Sequence, residues 1–107
     1  MDEGEGHDDR FEWDDFNLDS AQRHGISWLE IESALDNRPY VDRFGYDESR
    51  GEVIYRALGR VPERGQLISV LYVLRERDRV TRIRVFHAMD MKANERRLYR
   101  RQRGQRA

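Results

Sequence analysis

Two histidines are the residues in this sequence best suited to move protons near neutral pH. His24 precedes Gly25, and His87 alternates with Ile83 and Val85. Imidazoles titrate close to neutrality, so either histidine could exchange a proton as phosphodiester cleavage without a metal requires. His24 at a helix end also fits an imidazole that bonds terminal carbonyls, and His87 equally fits a structural core residue. Both interpretations stay open.

Arginines form the second group with recognisable chemistry. Arg82 and Arg84 stand two residues apart, on the predicted strand face that also carries Phe86. The planar guanidinium can hold a phosphate through two donors, which suits RNA, and interleaved tyrosines can stack on RNA bases. A solvated helix face explains the helical arginines equally well. The other members of this group are Arg96, Arg97, Arg100 and Arg101 in the last predicted helix, and the tyrosines Tyr55, Tyr72 and Tyr99.

Motifs for metals and cofactors are missing from the sequence. There is no cysteine, and neither HxxxH nor a carboxylate–glycine loop spacing occurs. The phosphate-binding P-loop, GxGxxG and the nucleophile elbow are missing as well. We therefore expect neither a metal site nor a cofactor.

Charge is sorted by position along the chain. Residues 1–50 hold fifteen Asp or Glu against five Arg, whereas residues 51–107 hold six against fifteen Lys or Arg. The halves thus carry net charges of −10 and +9. An asymmetry of this kind is typical of chains with a polyanionic partner.

The length of 107 residues predicts one domain. We expect an acidic flexible arm over residues 1–9, a single domain over residues 10–103 and a basic tail over residues 104–107. The acidic start has no apolar signal-peptide region, and the longest apolar stretch, residues 67–74, is too short for a membrane span. These features predict a cytoplasmic protein with no membrane partner.

Local patterns predict the elements that must position the histidines and arginines. The spacing of Ser27 and Glu30 indicates a capping box, and Gly25 and Pro39 indicate helix ends. The order is β-α-α-β-β-β-β-α, an α+β fold with a small antiparallel sheet, two N-terminal helices and one C-terminal helix. The predicted segments are a strand at 11–14, helices at 16–24 and from 27, strands at 40–46, 52–60, 66–75 and 81–87, and a helix from the cap Asp90 to 103.

An ordered set of short motifs, spread over residues 11 to 101, resembles BrnT-type toxins, the small ribonucleases of type II toxin–antitoxin systems. No single motif is specific, but their order along the chain is. The motifs are Phe11-Glu12-Trp13-Asp14, Arg23-His24-Gly25-Ile26-Ser27, Leu58-Gly59-Arg60, Gly65-Gln66-Leu67, Arg82-Ile83-Arg84-Val85 and Glu95-Arg96-Arg97-Leu98-Tyr99.

The resemblance implies a RelE-like fold and RNA cleavage without a metal. It also implies a cognate antitoxin that represses its own operon and binds this chain in a hetero-oligomer. Arg84 would clamp the phosphate in the transition state, and His24 would act as acid or base, with His87 as a further catalytic candidate. The candidate RNA-binding residues are Arg82, Arg56, Tyr55, Glu52, Glu95 and Tyr99.

Two arginines are missing from the pattern that the resemblance implies. Ile54 and Met89 stand where such toxins commonly carry arginine. These departures motivate a second hypothesis, a divergent RelE-like module of weak or no catalytic activity that binds a partner protein or RNA. In a third hypothesis, residues 1–9 form an acidic arm that folds back on the basic sheet and competes with RNA.

Overall fold

The computed structural model describes residues 9–106, with side chains through residue 104. Helices and strands follow in the order α-α-β-β-β-β-α, which confirms the predicted α+β class with an antiparallel sheet. The elements are α1 (Asp15–Ala21), α2 (Trp28–Leu35), β1 (Tyr40–Asp47), β2 (Glu52–Arg60), β3 (Leu67–Arg77), β4 (Val80–Asp90) and α3 (Ala93–Arg106). Most of the predicted acidic arm, residues 1–8, lies outside the described residues.

The four strands form one sheet in which spatial order follows chain order, β1-β2-β3-β4. Each strand is antiparallel to the next, because each connection is short enough to return the chain beside the strand it has just left. The tightest connection joins β3 to β4 through Asp78 and Arg79. Both residues have positive φ angles, 54° and 66°, as a two-residue type I′ turn requires.

The predicted strand at residues 11–14 is a single bridge. Phe11 pairs in parallel with Ile83 on the outer edge of β4, where the Ile83 amide donates to the Arg10 carbonyl at 2.7 Å. The pairing stops there because Asp14 already caps α1, its carboxylate accepting from the amides of Phe16 and Asn17. The buried Phe11 ring fixes this segment against the sheet.

Helices α1 and α2 cover one face of the sheet, which we call the inner face. The capping box predicted for α2 is confirmed, with Ser27 and Glu30 each accepting from the other's amide. Packing is tightest at Gly59, where an added Cβ would lie 2.9 Å from the Ala34 carbonyl oxygen. The core on this face consists of Phe11, Ala21, Ile26, Ile31, Ala34, Ala57, Val61, Ile68, Val70, Tyr72, Val85 and Ala88.

Helix α3 packs on one end of the opposite face, which we call the open face. Leu58 of β2, Met91 and Tyr99 form its buried contact. The predicted helix cap at Asp90 is wrong, because β4 continues to that residue and α3 begins at Ala93. The predicted basic tail also begins as helix, since residues 104–106 extend α3. Within the described residues, no helix combines the length and apolar character needed to cross a membrane.

Candidate functional site

A β-bulge in β4 decides which side chains reach the open face. Tyr72 pairs with Val85, but the next residue of β3, Leu71, pairs with His87, so Phe86 is an extra residue in β4. A bulge of this kind reverses the alternation of side chains beyond it. His87 therefore belongs with Leu71 on the open face.

The predicted placement of His87 on one face with Ile83 and Val85 is consequently wrong. Ile83 and Val85 pack on the inner face, and beyond the bulge Ala88 takes the inner position opposite Val70. Strict alternation, which the prediction assumed, holds only as far as Val85.

Helix α1 is bonded to the bulge by two polar side chains. The Asn17 amide donates to the Val85 carbonyl at 2.9 Å, and the Ser20 hydroxyl donates to the Phe86 carbonyl at 2.6 Å. These bonds pair edge carbonyls of β4 and fix α1 along this strand. As a result, the loop that follows α1, with His24, lies next to His87.

His24 and His87 are in ring contact although 62 residues separate them in the sequence. Their ring centroids are 5.3 Å apart and the rings meet edge to face at 79°. His24 is exposed and His87 is half-buried. Burial, and then the proximity of His24, Lys92 and Arg23, lowers the pKa of His87, against the opposing effect of Glu95. His87 is therefore neutral at pH 7 and able to accept a proton.

Arg84, predicted to clamp phosphate, lies on the open face with its donors engaged by the segment before α1. Its Nη1 is 3.0 Å from Glu12 Oε1 and 2.8 Å from Asp14 Oδ2. The hydrogen bond from Arg84, together with a hydrogen bond from the backbone N–H of Asn17, lowers the pKa of Asp14 to about 2. Only 13% of the Arg84 side chain is exposed. A phosphate would have to displace these carboxylates before Arg84 could bind it.

Arg56 and Glu95 form a second network on the open face. Arg56 Nε lies 3.0 Å from Asp42 Oδ1, and its Nη1 lies 3.4 Å from Glu95 Oε2. Glu95 also accepts from the Ser69 hydroxyl at 3.0 Å and from the Lys92 amide at 2.9 Å. The bond to Asp42 raises the pKa of Arg56 above its ordinary value. The network joins β1, β2 and β3 to the start of α3.

The structure separates the remaining predicted site residues from the histidines. Arg82 donates from Nε to the Asp9 carbonyl at 2.9 Å, and Glu52 forms an ion pair with Arg75 at 2.9 Å. Tyr55 lies on the inner face, stacked on Tyr72 with ring centroids 5.5 Å apart. Tyr99 is 3% exposed. Neither Tyr55 nor Tyr99 presents its ring to the open face for base stacking.

A cavity of about 280 Å³ lies on the open face, at the end not covered by α3. The sequence pattern does not predict this cavity. One signal is present, since strand alternation puts Arg84 and Phe86 on one face, but the sequence does not show that β2 and β3 complete a concave surface. The cavity is lined by Ile54, Val73, Phe86, Arg50, Arg75, Arg84, Asp47 and Glu52.

Residues that could hold a metal ion do not cluster in residues 9–106, where no three His, Asp or Glu side chains converge. What the open face offers is an imidazole pair, paired guanidinium groups and an apolar-floored cavity. No protein-family model matches the sequence, and no curated protein is similar to it.

Proposed function

We propose that this chain is a metal-independent endoribonuclease, the toxin of a type II toxin–antitoxin pair that acts on cytoplasmic RNA. The observation that carries the proposal is the ring contact between His24 and His87 at 5.3 Å, with Arg23 and Lys92 as neighbouring cations. The sequence resemblance to BrnT-type toxins supports it, and the α+β architecture agrees with the fold that this resemblance implies.

The proposed reaction is an intramolecular transfer within RNA. His87, neutral because burial lowers its pKa, accepts the proton of a ribose 2′-hydroxyl. The 2′-oxygen forms a bond to the adjacent phosphorus, and the bond from phosphorus to the 5′-oxygen breaks. His24 gives a proton to that leaving oxygen. The products are a 2′,3′-cyclic phosphate and a 5′-hydroxyl end, so atoms and protons balance.

Arg23 and Lys92 supply the positive charge that this reaction needs. Both are exposed, both lie close enough to His87 to lower its pKa, and the described residues offer neither an ion pair. Cations placed where charge develops stabilise a transition state more than a ground state. They fit the phosphate-binding role better than Arg84, whose donors are held by Glu12 and Asp14.

The test is cleavage of a single-stranded RNA by the purified full chain in the presence of EDTA. We expect cleavage to a cyclic phosphate, and a loss of roughly 100-fold or more in rate for His24→Asn and for His87→Asn. His7→Asn is the matched control and should cleave like the parent protein. Full activity in the His24→Asn/His87→Asn double variant, with its fold intact, would contradict the proposal.

A second function, a binding module without catalysis, is favoured by the paired state of the predicted RNA-binding arginines. Arg56, Arg82 and Arg84 each bond to carboxylate or carbonyl oxygens of the chain itself. Such a module would bind a partner protein or RNA and leave RNA intact. Binding of labelled RNA without cleavage, at protein concentrations that saturate the RNA, would support the binding module over the ribonuclease.

The antitoxin is the partner that the toxin proposal requires. We expect the product of the adjacent gene to relieve growth arrest on co-expression and to elute with this chain as a hetero-oligomer. The same complex should repress a reporter placed behind the operon's own promoter. Growth arrest that persists with the adjacent gene expressed would remove that gene as the antitoxin.

A further inference from the structure

We propose that the cavity on the open face binds a nucleobase, that of the nucleotide next to the phosphate held at the histidine pair. This inference rests on the proposed ribonuclease function for its role in the reaction. The chemical class of the ligand is inferred from the cavity itself. At about 280 Å³ the cavity is close to the lower end of small-molecule sites, roughly 300 Å³, which suits a single ring system.

The floor of the cavity is apolar and spans three strands. Ile54 of β2, Val73 of β3 and Phe86 of β4 contribute it. Val73 is almost fully buried, whereas Ile54 and Phe86 remain partly exposed. Apolar surface at the bottom of a polar-rimmed cavity favours a flat ring over an ion, and the Phe86 ring gives that ligand a stacking partner.

Two arginines on the rim are fixed by carboxylates. Arg75 binds Glu52 through two bonds, from Nε at 2.9 Å and from Nη2 at 3.2 Å. Arg84 binds Glu12 and Asp14. Their N–H donors are thus already engaged, but the flat faces of the guanidinium groups are not consumed by such bonds. A guanidinium held in place by carboxylates is suited to stack on a base.

The charge around the cavity disfavours a phosphate within it. Asp47 and Glu52 line the cavity together with its arginines, and Glu12 and Asp14 offset Arg84 from behind. A dianionic phosphate group would therefore meet several carboxylates as well as guanidinium groups. A neutral heterocycle meets no such repulsion, so the ligand is the base and the phosphate lies elsewhere.

The sheet register places that phosphate at the histidines. Arg84 pairs with Val73, and His87 pairs with Leu71, two residues along the same strand. A strand rises about 3.3 Å per residue, so the cavity and His87 are separated by about 7 Å along β3. The sugar of a single nucleotide can span this distance. Base and scissile phosphate would then belong to one nucleotide or to two adjacent ones.

Nucleoside monophosphates, compared with ribose 5-phosphate, test the proposal without requiring catalysis. We expect AMP and CMP to bind the full chain at least tenfold more tightly than ribose 5-phosphate, measured by isothermal titration calorimetry. Phe86→Ala should reduce the affinity for both nucleotides to the affinity for ribose 5-phosphate. If the alanine variant unfolds, Phe86→Leu replaces it in this measurement, because it removes the ring and keeps an apolar residue at the bulge. Phe16→Ala, on the exposed side of α1, is the control and should bind like the parent.

The outcomes separate this proposal from the ribonuclease proposal. Equal binding of ribose 5-phosphate and nucleotides would overturn the base pocket. So would RNA cleavage whose KM is unchanged in Phe86→Leu. Nucleotide binding that depends on Phe86 in a protein that does not cleave RNA would keep the pocket and refute the ribonuclease.

Discussion

His87 owes its position on the open face to the bulge in β4, and its proton affinity to what surrounds it there. Arg23 approaches from the loop after α1, Lys92 and Glu95 from the start of α3, and His24 through its ring. Burial and three of these neighbours lower the pKa of His87, so the folded protein resists protonation of this ring. The lowered pKa keeps His87 neutral and therefore free to accept a proton from a substrate. It also makes the fold sensitive to acid.

The sign of that sensitivity follows from linkage. Below an ordinary histidine pKa of about 6.5 the unfolded chain takes up a proton that folded His87 does not, so stability decreases as pH falls below about 6.5, until folded His87 is protonated as well. A single proton limits the slope to about 1.4 kcal/mol per pH unit. Urea unfolding at several pH values measures it, and His87→Asn should flatten this part of the profile.

Asp14 provides the internal comparison, because it titrates in another window. Arg84 and the Asn17 amide lower its pKa to about 2, so its contribution is complete above pH 4 and is lost as pH falls towards 2. Asp14→Asn should lower stability by the same amount at every pH above about 4 and should flatten the profile only between pH 4 and 2. If His87→Asn left the slope just below pH 6.5 intact, another group would be responsible for it.

The requirement for glycine at position 59 comes from the close contact between the sheet and α2. Its φ is not in the left-handed region, so what requires glycine is the Ala34 carbonyl oxygen, 2.9 Å from where a Cβ would lie. Because that neighbour is backbone, α2 must move to admit a methyl group. We expect Gly59→Ala to lower the free energy of unfolding by about 1–3 kcal/mol in urea denaturation. Gly45→Ala in β1, with no heavy atom within 4 Å, should change it by less than about 0.5 kcal/mol.

At the scale of elements, the β3–β4 hairpin contains removable strain. Asp78 and Arg79 occupy a turn that demands positive φ at both positions. Aspartate tolerates this conformation, whereas for arginine it is destabilising by roughly 1 kcal/mol because of steric strain. We expect Arg79→Gly to raise the free energy of unfolding by about 1 kcal/mol, measured by chemical denaturation. Arg79→Ala removes the same side chain and keeps the strain, so a gain as large in Arg79→Ala would refute this explanation.

The elements show which features a sequence can predict. The capping box of Ser27 and Glu30 and the bounds of β2 at residues 52–60 depend on neighbouring residues, and these predictions are confirmed. The bulge depends on Asn17 and Ser20, which bond its carbonyls from another element, and periodicity within β4 does not show them. The contact between His24 and His87 depends on that bulge. The sequence therefore indicates the two histidines as separate candidates but does not predict that they meet.

At the scale of the whole molecule, ion pairs join the acidic half of the chain to the basic half at several places. Glu12, Asp14, Glu30 and Asp42 from the acidic half bond to arginines of the basic half. Four arginines of the basic half, Arg56, Arg64, Arg77 and Arg84, are thus paired with carboxylates of the acidic half. Within residues 9–104, most of the exposed arginines remain without an ion pair.

One group of exposed arginines lies on the outer side of α3. Arg97, Arg100 and Arg101 are spaced three and four residues apart on one side of the helix. All three are exposed, and within residues 9–106 none forms an ion pair. If RNA binds this protein, these side chains contact its phosphates at low cost, whereas Arg56 and Arg84 must first lose carboxylates. The dependence of RNA affinity on salt distinguishes the two sets.

Each phosphate contact on single-stranded RNA contributes about 0.7 to the slope of log affinity against log salt concentration. Replacing Arg97, Arg100 and Arg101 by glutamine should therefore make that slope shallower by about 2, measured by fluorescence anisotropy with a 2′-O-methyl RNA that cannot be cleaved. Arg82→Gln is the matched control, because its Nε already bonds to Asp9, and should change the slope by less than 0.7. A slope that is unchanged in the triple variant but shallower in Arg82→Gln would move the RNA path from α3 to the sheet.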